Sequence, residues 1–119
     1  MPIWREIYDR NGRRIYPADT TQINGNYIDH RDEIRPGEIY LLLSERTIAG
    51  LIEVENLSRE NISGPVERVI RGHPQERKRR SLPLEAFKFK GDGKLWGMWR
   101  LQKIDGKDES ELEERLNVA

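Results

Sequence analysis

Four consecutive cations, Arg77-Lys78-Arg79-Arg80, are the sharpest chemical signal in the chain. A run of this kind can neutralise phosphates, with an affinity that falls steeply as salt rises. Aromatic rings are the second signal. Trp4, Tyr27, Tyr40, Trp96 and Trp99 each offer a face on which a nucleobase can stack, worth about 1–3 kcal/mol per base. The candidate ligand-binding residues are Trp4, Tyr27, Ser44, Trp96, Trp99 and Arg100, with Arg77, Lys78, Arg79 and Arg80 as candidate contacts to nucleic-acid phosphates. A plainer reading stands beside each set. At least two of the three tryptophans are expected in so small a core. A basic tetrad on a strand edge also discourages unwanted pairing.

Other chemistries find less support. Ser44, Ser58, Ser63, Ser81 and Ser110 lie in no G-x-S-x-G context, and neither His30 nor His73 has an evident partner, so no catalytic residue is nominated. Asp29-His30-Arg31-Asp32-Glu33 clusters possible metal ligands, but such a cluster in a turn-rich segment reads as solvated surface. No metal and no cofactor is expected. Glu53 and Glu55 share one strand face, as nuclease carboxylates do. No lysine follows at the usual place, and outward-facing glutamates explain the pair more simply. The absence of cysteine excludes disulfides, thiolate metal sites and a cysteine nucleophile.

The elements that must position these residues belong to a chain of 119 residues, 35% charged, with 21 basic and 21 acidic side chains. Leu, Ile, Val and Phe make up about 24% of it, above the floor of about 20% below which chains tend to stay unfolded. One folded domain over residues 1–119, with a small core and a densely charged surface, is the expectation. No apolar run approaches the length needed to span a bilayer, and the start MPIWREIYDRNGRR has no apolar signal region. A cytoplasmic protein with no membrane association is implied. The neutral total hides an uneven distribution: residues 66–104 carry 11 basic and 4 acidic groups, or +7, and residues 105–119 carry 2 and 6, or −4. Such asymmetry suits an anionic partner, or a tail that neutralises the basic block across the fold.

Local patterns point to strands. Ile3–Tyr8 and Arg13–Tyr16 flank Asn11-Gly12, a hairpin signature. Residues 17–38 are rich in turn formers, with a short strand near residues 23–28. Ile39-Tyr40-Leu41-Leu42-Leu43 is an apolar run suited to a strand buried on both faces. It is followed by a turn at Ser44–Thr47 and by a strand in which Ile52 and Val54 point inward and Glu53 and Glu55 outward. Pro65–Gly72 suits a helix of one or two turns, although Val and Ile also permit a strand. Residues 72–80 read as an exposed basic loop or strand edge. Leu82–Phe87 reads as an apolar docking segment, Gly91–Gly93 as a turn, and Lys94–Ile104 as a long strand. Ser110 and Glu113 form a capping box for a C-terminal helix at about 108–117. Five to seven strands with one or two short helices predict a mainly β (α+β) fold: a small β-barrel or a rolled antiparallel sheet.

Two families are similar in part. The segment PGEIYLLLSERTIAGLIEVENLS, residues 36–58, resembles the central hairpin of the PUA-like superfamily, especially its EVE and ASCH branches. Leu82-Pro83-Leu84-Glu85 and Trp99–Ile104 are similar to later segments of such domains. The resemblance implies a β-barrel that binds RNA or a modified nucleobase without catalysis. Arg31-x-x-x-Arg35 followed by Asn56-x-Ser58-x-x-Asn61 resembles the two motifs of PilZ domains, with Asn61 in the place of a glycine. That resemblance implies a β-barrel sensor of cyclic di-GMP using Arg31, Arg35 and Ser58. Two Arg-x-x-x-Arg pairs occur, the other being Arg10 and Arg14, about the number that fifteen arginines produce by chance. A third expectation is a protein–protein adaptor or inhibitor acting through its charged surface.

Overall fold

The computed structural model describes residues 5–9, 11–20, 27–104 and 107–108. Nine strands and three 3₁₀ turns occur among them. The strands are β1 (Ile7–Tyr8), β2 (Arg14–Tyr16), β3 (Ile39–Ser44), β4 (Thr47–Glu53), β5 (Asn56–Leu57), β6 (Asn61–Ile70), β7 (His73–Pro83), β8 (Arg100–Lys103) and β9 (Lys107–Asp108). All named pairings are antiparallel. The main sheet runs β8-β3-β4-β6-β7, and β5 pairs the first half of β6 just beyond β4. A second, small sheet has the order β2-β1-β9. Among the described residues β7 and β8 remain the outer strands of the main sheet, so the antiparallel fold holds without a closed barrel.

The apolar run at the start of β3 builds both cores. Tyr40 and Leu42 face one side, with Ile52, Val54, Ile62, Val66, Leu84, Phe87 and Leu101. Leu41 and Leu43 face the other, with Ile7, Tyr16, Ile48, Leu51 and Val69. Ile52 and Val54 are fully buried, as their alternation with Glu53 and Glu55 predicts. The hairpin closes through Glu45, which adopts a positive φ of 59°, and Arg46. Gly50 is required where β4 meets β6, because a Cβ there would lie 2.1 Å from the Glu67 carbonyl oxygen.

Residues 65–70 take the strand alternative, and Arg71 and Gly72 form the turn that follows. Val66, Val69 and Ile70 are β-branched, and β6 gains ladder partners on both edges, β4 and β5 on one and β7 on the other. The following basic stretch is an edge strand rather than a loop. Leu82–Phe87 docks as expected, with Leu82, Leu84 and Phe87 buried around the 3₁₀ turn Leu84–Ala86. The long final strand is shorter than its pattern suggests: only Arg100–Lys103 pair with β3. Gly97 explains the irregular stretch before it, since a Cβ there would lie 2.5 Å from the Lys88 backbone nitrogen. Gly97 therefore packs directly on the Phe87–Lys88 backbone. The predicted C-terminal helix lies outside the described residues, apart from its first position, Asp108, which ends β9.

A buried carboxylate ties the small sheet to the main one. Glu67, at the middle of β6, is only 1% exposed. The Tyr16 hydroxyl donates to its Oε2 at 2.8 Å, the Arg5 backbone N–H donates to Oε1 at 3.3 Å, and Arg77 Nε lies 3.7 Å from Oε1. Arg5 also donates from Nη2 to Glu53 Oε2 at 3.1 Å. Burial, and then the charge of Glu67, push the Tyr16 hydroxyl far above its ordinary value of 10.0, so it remains a donor across the physiological range. Tyr16→Phe should cost about 1–3 kcal/mol, because it strips a buried acceptor of its donor. Urea unfolding should show a lower midpoint with an unchanged slope; an unchanged midpoint would mean that Tyr16 does not hold Glu67.

Candidate functional site

Strand alternation sorts the basic tetrad onto two faces. Cross-strand partners share a side, so Lys78 opposite Val66 and Arg80 opposite Gly64 lie on the face of the first core. Arg77 opposite Glu67 and Arg79 opposite Pro65 lie on the reverse face. There Arg77 pairs with Glu67, and Arg79 pairs with Glu55, which raises the Arg79 guanidinium above its ordinary value. On the first face Arg80 pairs with Glu76 and holds that carboxyl below its ordinary value. Among the described residues, no ion pair engages Lys78 or Arg68. Three of the four cations of the tetrad are thus answered locally, by Glu67 of β6, Glu76 of β7 and Glu55 just beyond β4.

On the first face an open cleft of about 440 Å³ gathers Ser44 from the end of β3, Arg68 from β6, Arg80 and Leu82 from β7, and Met98 and Trp99 from the segment before β8. Two of the candidate ligand residues, Ser44 and Trp99, meet here with one candidate phosphate contact, Arg80. Trp99 is half-buried, its ring centroid 5.7 Å from that of Phe87 at a 52° tilt. Its backbone is fixed by Trp99 N–H to the Ala86 carbonyl (3.0 Å) and by Lys88 N–H to the Trp99 carbonyl (2.9 Å). The Lys94 ammonium donates to the carbonyls of Glu85, Phe87 and Trp96, which pins the segment leading into the cleft. A mainly apolar lining that includes Ser44, Glu67, Arg68 and Arg80 matches the usual composition of a small-molecule site.

The remaining candidates lie elsewhere. The Arg100 guanidinium sits 3.9 Å over the Tyr27 ring and pairs with Asp29, so these two residues hold each other at the Tyr27–Gln102 bridge beside β8. Trp96 is 84% exposed, two residues from Met98, which is 68% exposed. Tyr40 is buried, its hydroxyl donating to Glu38 Oε2 and accepting from the Arg35 N–H; it fills the core instead of presenting a face. Trp4 lies outside the described residues. Sequence reasoning missed Arg68 and Met98, because nothing in the local pattern aligns them with Ser44.

A second groove lies at the other end of the first core. Arg31, in the 3₁₀ turn Arg31–Glu33, donates from Nη2 to the Ser58 carbonyl at 3.0 Å, across 27 positions of sequence. Arg31, Ser58 and Arg59 line a shallow groove of about 640 Å³, which adjoins a larger one of about 770 Å³ that also contains Asn61, Asp92 and Lys94. The walls mix basic groups with Asp32, Glu60, Glu85 and Asp92. Arg35 turns away and donates to the Asp32 and Ile34 carbonyls. Asn61 opens β6 without a positive φ.

His30, Asp32 and Asp92 bring their ligand atoms within 4.8 Å of one another at the groove, all exposed. Asp92 already has two donors, Arg31 N–H at 2.7 Å to Oδ2 and His30 Nδ1 at 3.0 Å to Oδ1. Those bonds, the backbone one first, hold Asp92 below its ordinary 3.8, and the hydrogen bond to Asp92 raises His30 above 6.5. The raised imidazole favours folding below its unfolded pKa, and that contribution is lost as pH rises through the folded value. The depressed Asp92 favours folding above 3.8, and that contribution is lost as pH falls through its folded value. The pair is therefore fully formed only between those limits. NMR titration should place the His30 midpoint above 6.5, and Asp92→Asn should return it towards that value. A midpoint unmoved by the substitution would exclude the pairing.

No protein-family model, curated protein or solved structure matches this chain. Among the described residues, no helix is long and apolar enough to cross a membrane.

Proposed function

We propose that this chain is a binding module for a base-bearing ligand, a nucleotide or nucleic acid, seated in the cleft between β3, β6, β7 and the Met98–Trp99 segment. The observation that carries this reading is the convergence of Ser44, Trp99 and Arg80 on one cleft from three separate parts of the chain. Trp99 offers a stacking surface, Ser44 a hydroxyl that both donates and accepts, and Arg68 and Arg80 supply positive charge for a phosphate. The cleft lies within the 300–1,000 Å³ range of small-ligand sites. This is the binding mode implied by the PUA-like resemblance, with the ligand residues reduced to those that meet.

Titration of a Trp96→Phe background with AMP, GMP, CMP, UMP and short oligonucleotides should quench tryptophan fluorescence in a salt-dependent way. Trp99→Leu should weaken binding by about 1–3 kcal/mol, the usual worth of one stacked base, and Arg80→Gln should flatten the salt dependence. No quenching by any of these ligands would refute the reading.

A second reading rests on a different observation, the meeting of Arg31 with the Ser58 carbonyl. Both PilZ-like motifs contribute to that groove, which favours a cyclic-dinucleotide sensor, although Arg35 is engaged elsewhere. Calorimetry with cyclic di-GMP should then show heat that Arg31→Ala abolishes and Trp99→Leu leaves unchanged. Silence in the unsubstituted protein would remove this reading.

A further inference from the structure

Among the described residues β7 is an outer strand, with β6 on one flank only, paired from His73 to Pro83. In an antiparallel ladder only alternate residues direct their N–H and C=O towards a given neighbour, so the opposite edge of β7 leaves the other half unpaired. Pro74 and Pro83 sit near its two ends, where a missing N–H limits pairing. Between them, Gln75–Leu82 contains neither proline nor glycine, and among the described residues no strand pairs with its outer edge.

Charge decides which strand it can accept. Glu76-Arg77-Lys78-Arg79-Arg80 carries four cations against one carboxylate, or +3. A second copy of β7 laid alongside would set like charges opposite one another, which is unfavourable. An acidic strand meets complementary charge on both faces, Lys78 and Arg80 on one and Arg77 and Arg79 on the other. Arg79, with its side chain 71% exposed, is held only by a surface pair with Glu55, an interaction weak enough to be exchanged for an incoming carboxylate. Lys78 is exposed and makes no ion pair among the described residues.

We propose that the outer edge of β7 is a docking site for an extended acidic segment of a partner protein, which adds as a strand along Gln75–Leu82. Main-chain hydrogen bonds would supply the affinity, and the cations the choice of partner. The site shares Arg80 and Leu82 with the cleft, but strand addition uses backbone atoms, and neither Lys78 nor Arg79 lines the cleft.

The test uses the full chain and a fluorescein-labelled peptide of four Glu-Thr repeats. Anisotropy should rise on binding and fall back at high salt, and a Lys-Thr counterpart should not bind. A further Glu-Thr peptide, N-methylated at every residue, keeps the charge but leaves neither edge a donor. It should bind about tenfold or more weakly, because it loses several main-chain bonds at once. Arg79→Glu with Lys78→Glu should abolish binding of the unmodified peptide. Equal binding by the methylated peptide and the parent would reduce the contact to charge alone and overturn strand addition. No binding by the parent peptide would overturn the site altogether.

Discussion

The carboxylate of Glu67 is the constraint around which the two sheets are arranged. It lies in the middle of β6, beneath the small sheet, where an unpaired charge would be strongly destabilising. Tyr16 from β2, the Arg5 backbone just before β1, and Arg77 from β7 all converge on it. A replacement by well-packed apolar residues could be as stable, but it would lose this directionality. The hydrogen bonds demand one placement of the first hairpin on the main sheet, whereas apolar contact alone tolerates several. Arg5 extends the tie to Glu53 and so to β4.

The same strand geometry governs the charges. A run of four cations looks continuous in sequence, yet a strand divides it between two faces. The reverse face becomes a network of ion pairs with Glu55 and Glu67, while the first face brings Arg80 to the cleft and leaves Lys78 exposed. The tetrad is thus partly a structural feature of an edge strand and partly a source of positive potential. Its outer backbone edge adds a third property, a row of hydrogen-bonding groups that no strand pairs among the described residues.

Legibility in the sequence followed the locality of the forces. Ile39–Leu43 and the alternation at Leu51–Glu55 read correctly because burial on two faces, or on one, leaves a direct mark on residue order. The Asn11-Gly12 turn and the docking of Leu82–Phe87 read correctly for similar local reasons. Pro65–Gly72 stayed open between helix and strand, since its outcome depended on β4, β5 and β7 lying alongside. Lys94–Trp99 was misread as strand because Gly97 is there to let backbone touch backbone, a contact with no local signature. The candidate site was legible as residue types but not as a place: Ser44 and Trp99 meet, whereas Tyr27 and Arg100 are spent on one another.

By itself the sequence determined a mainly antiparallel β chain with a twofold-buried central hairpin, because side-chain alternation and turn chemistry act between near neighbours. The tertiary structure alone decided which acidic group answers each cation, which tryptophan meets a cleft and which edge stays open. Those outcomes depend on contacts such as Glu67 with Tyr16, 51 positions apart, and Arg31 with Ser58, 27 apart. Contacts at such separations are set by register and packing among strands, which no short stretch of residues encodes.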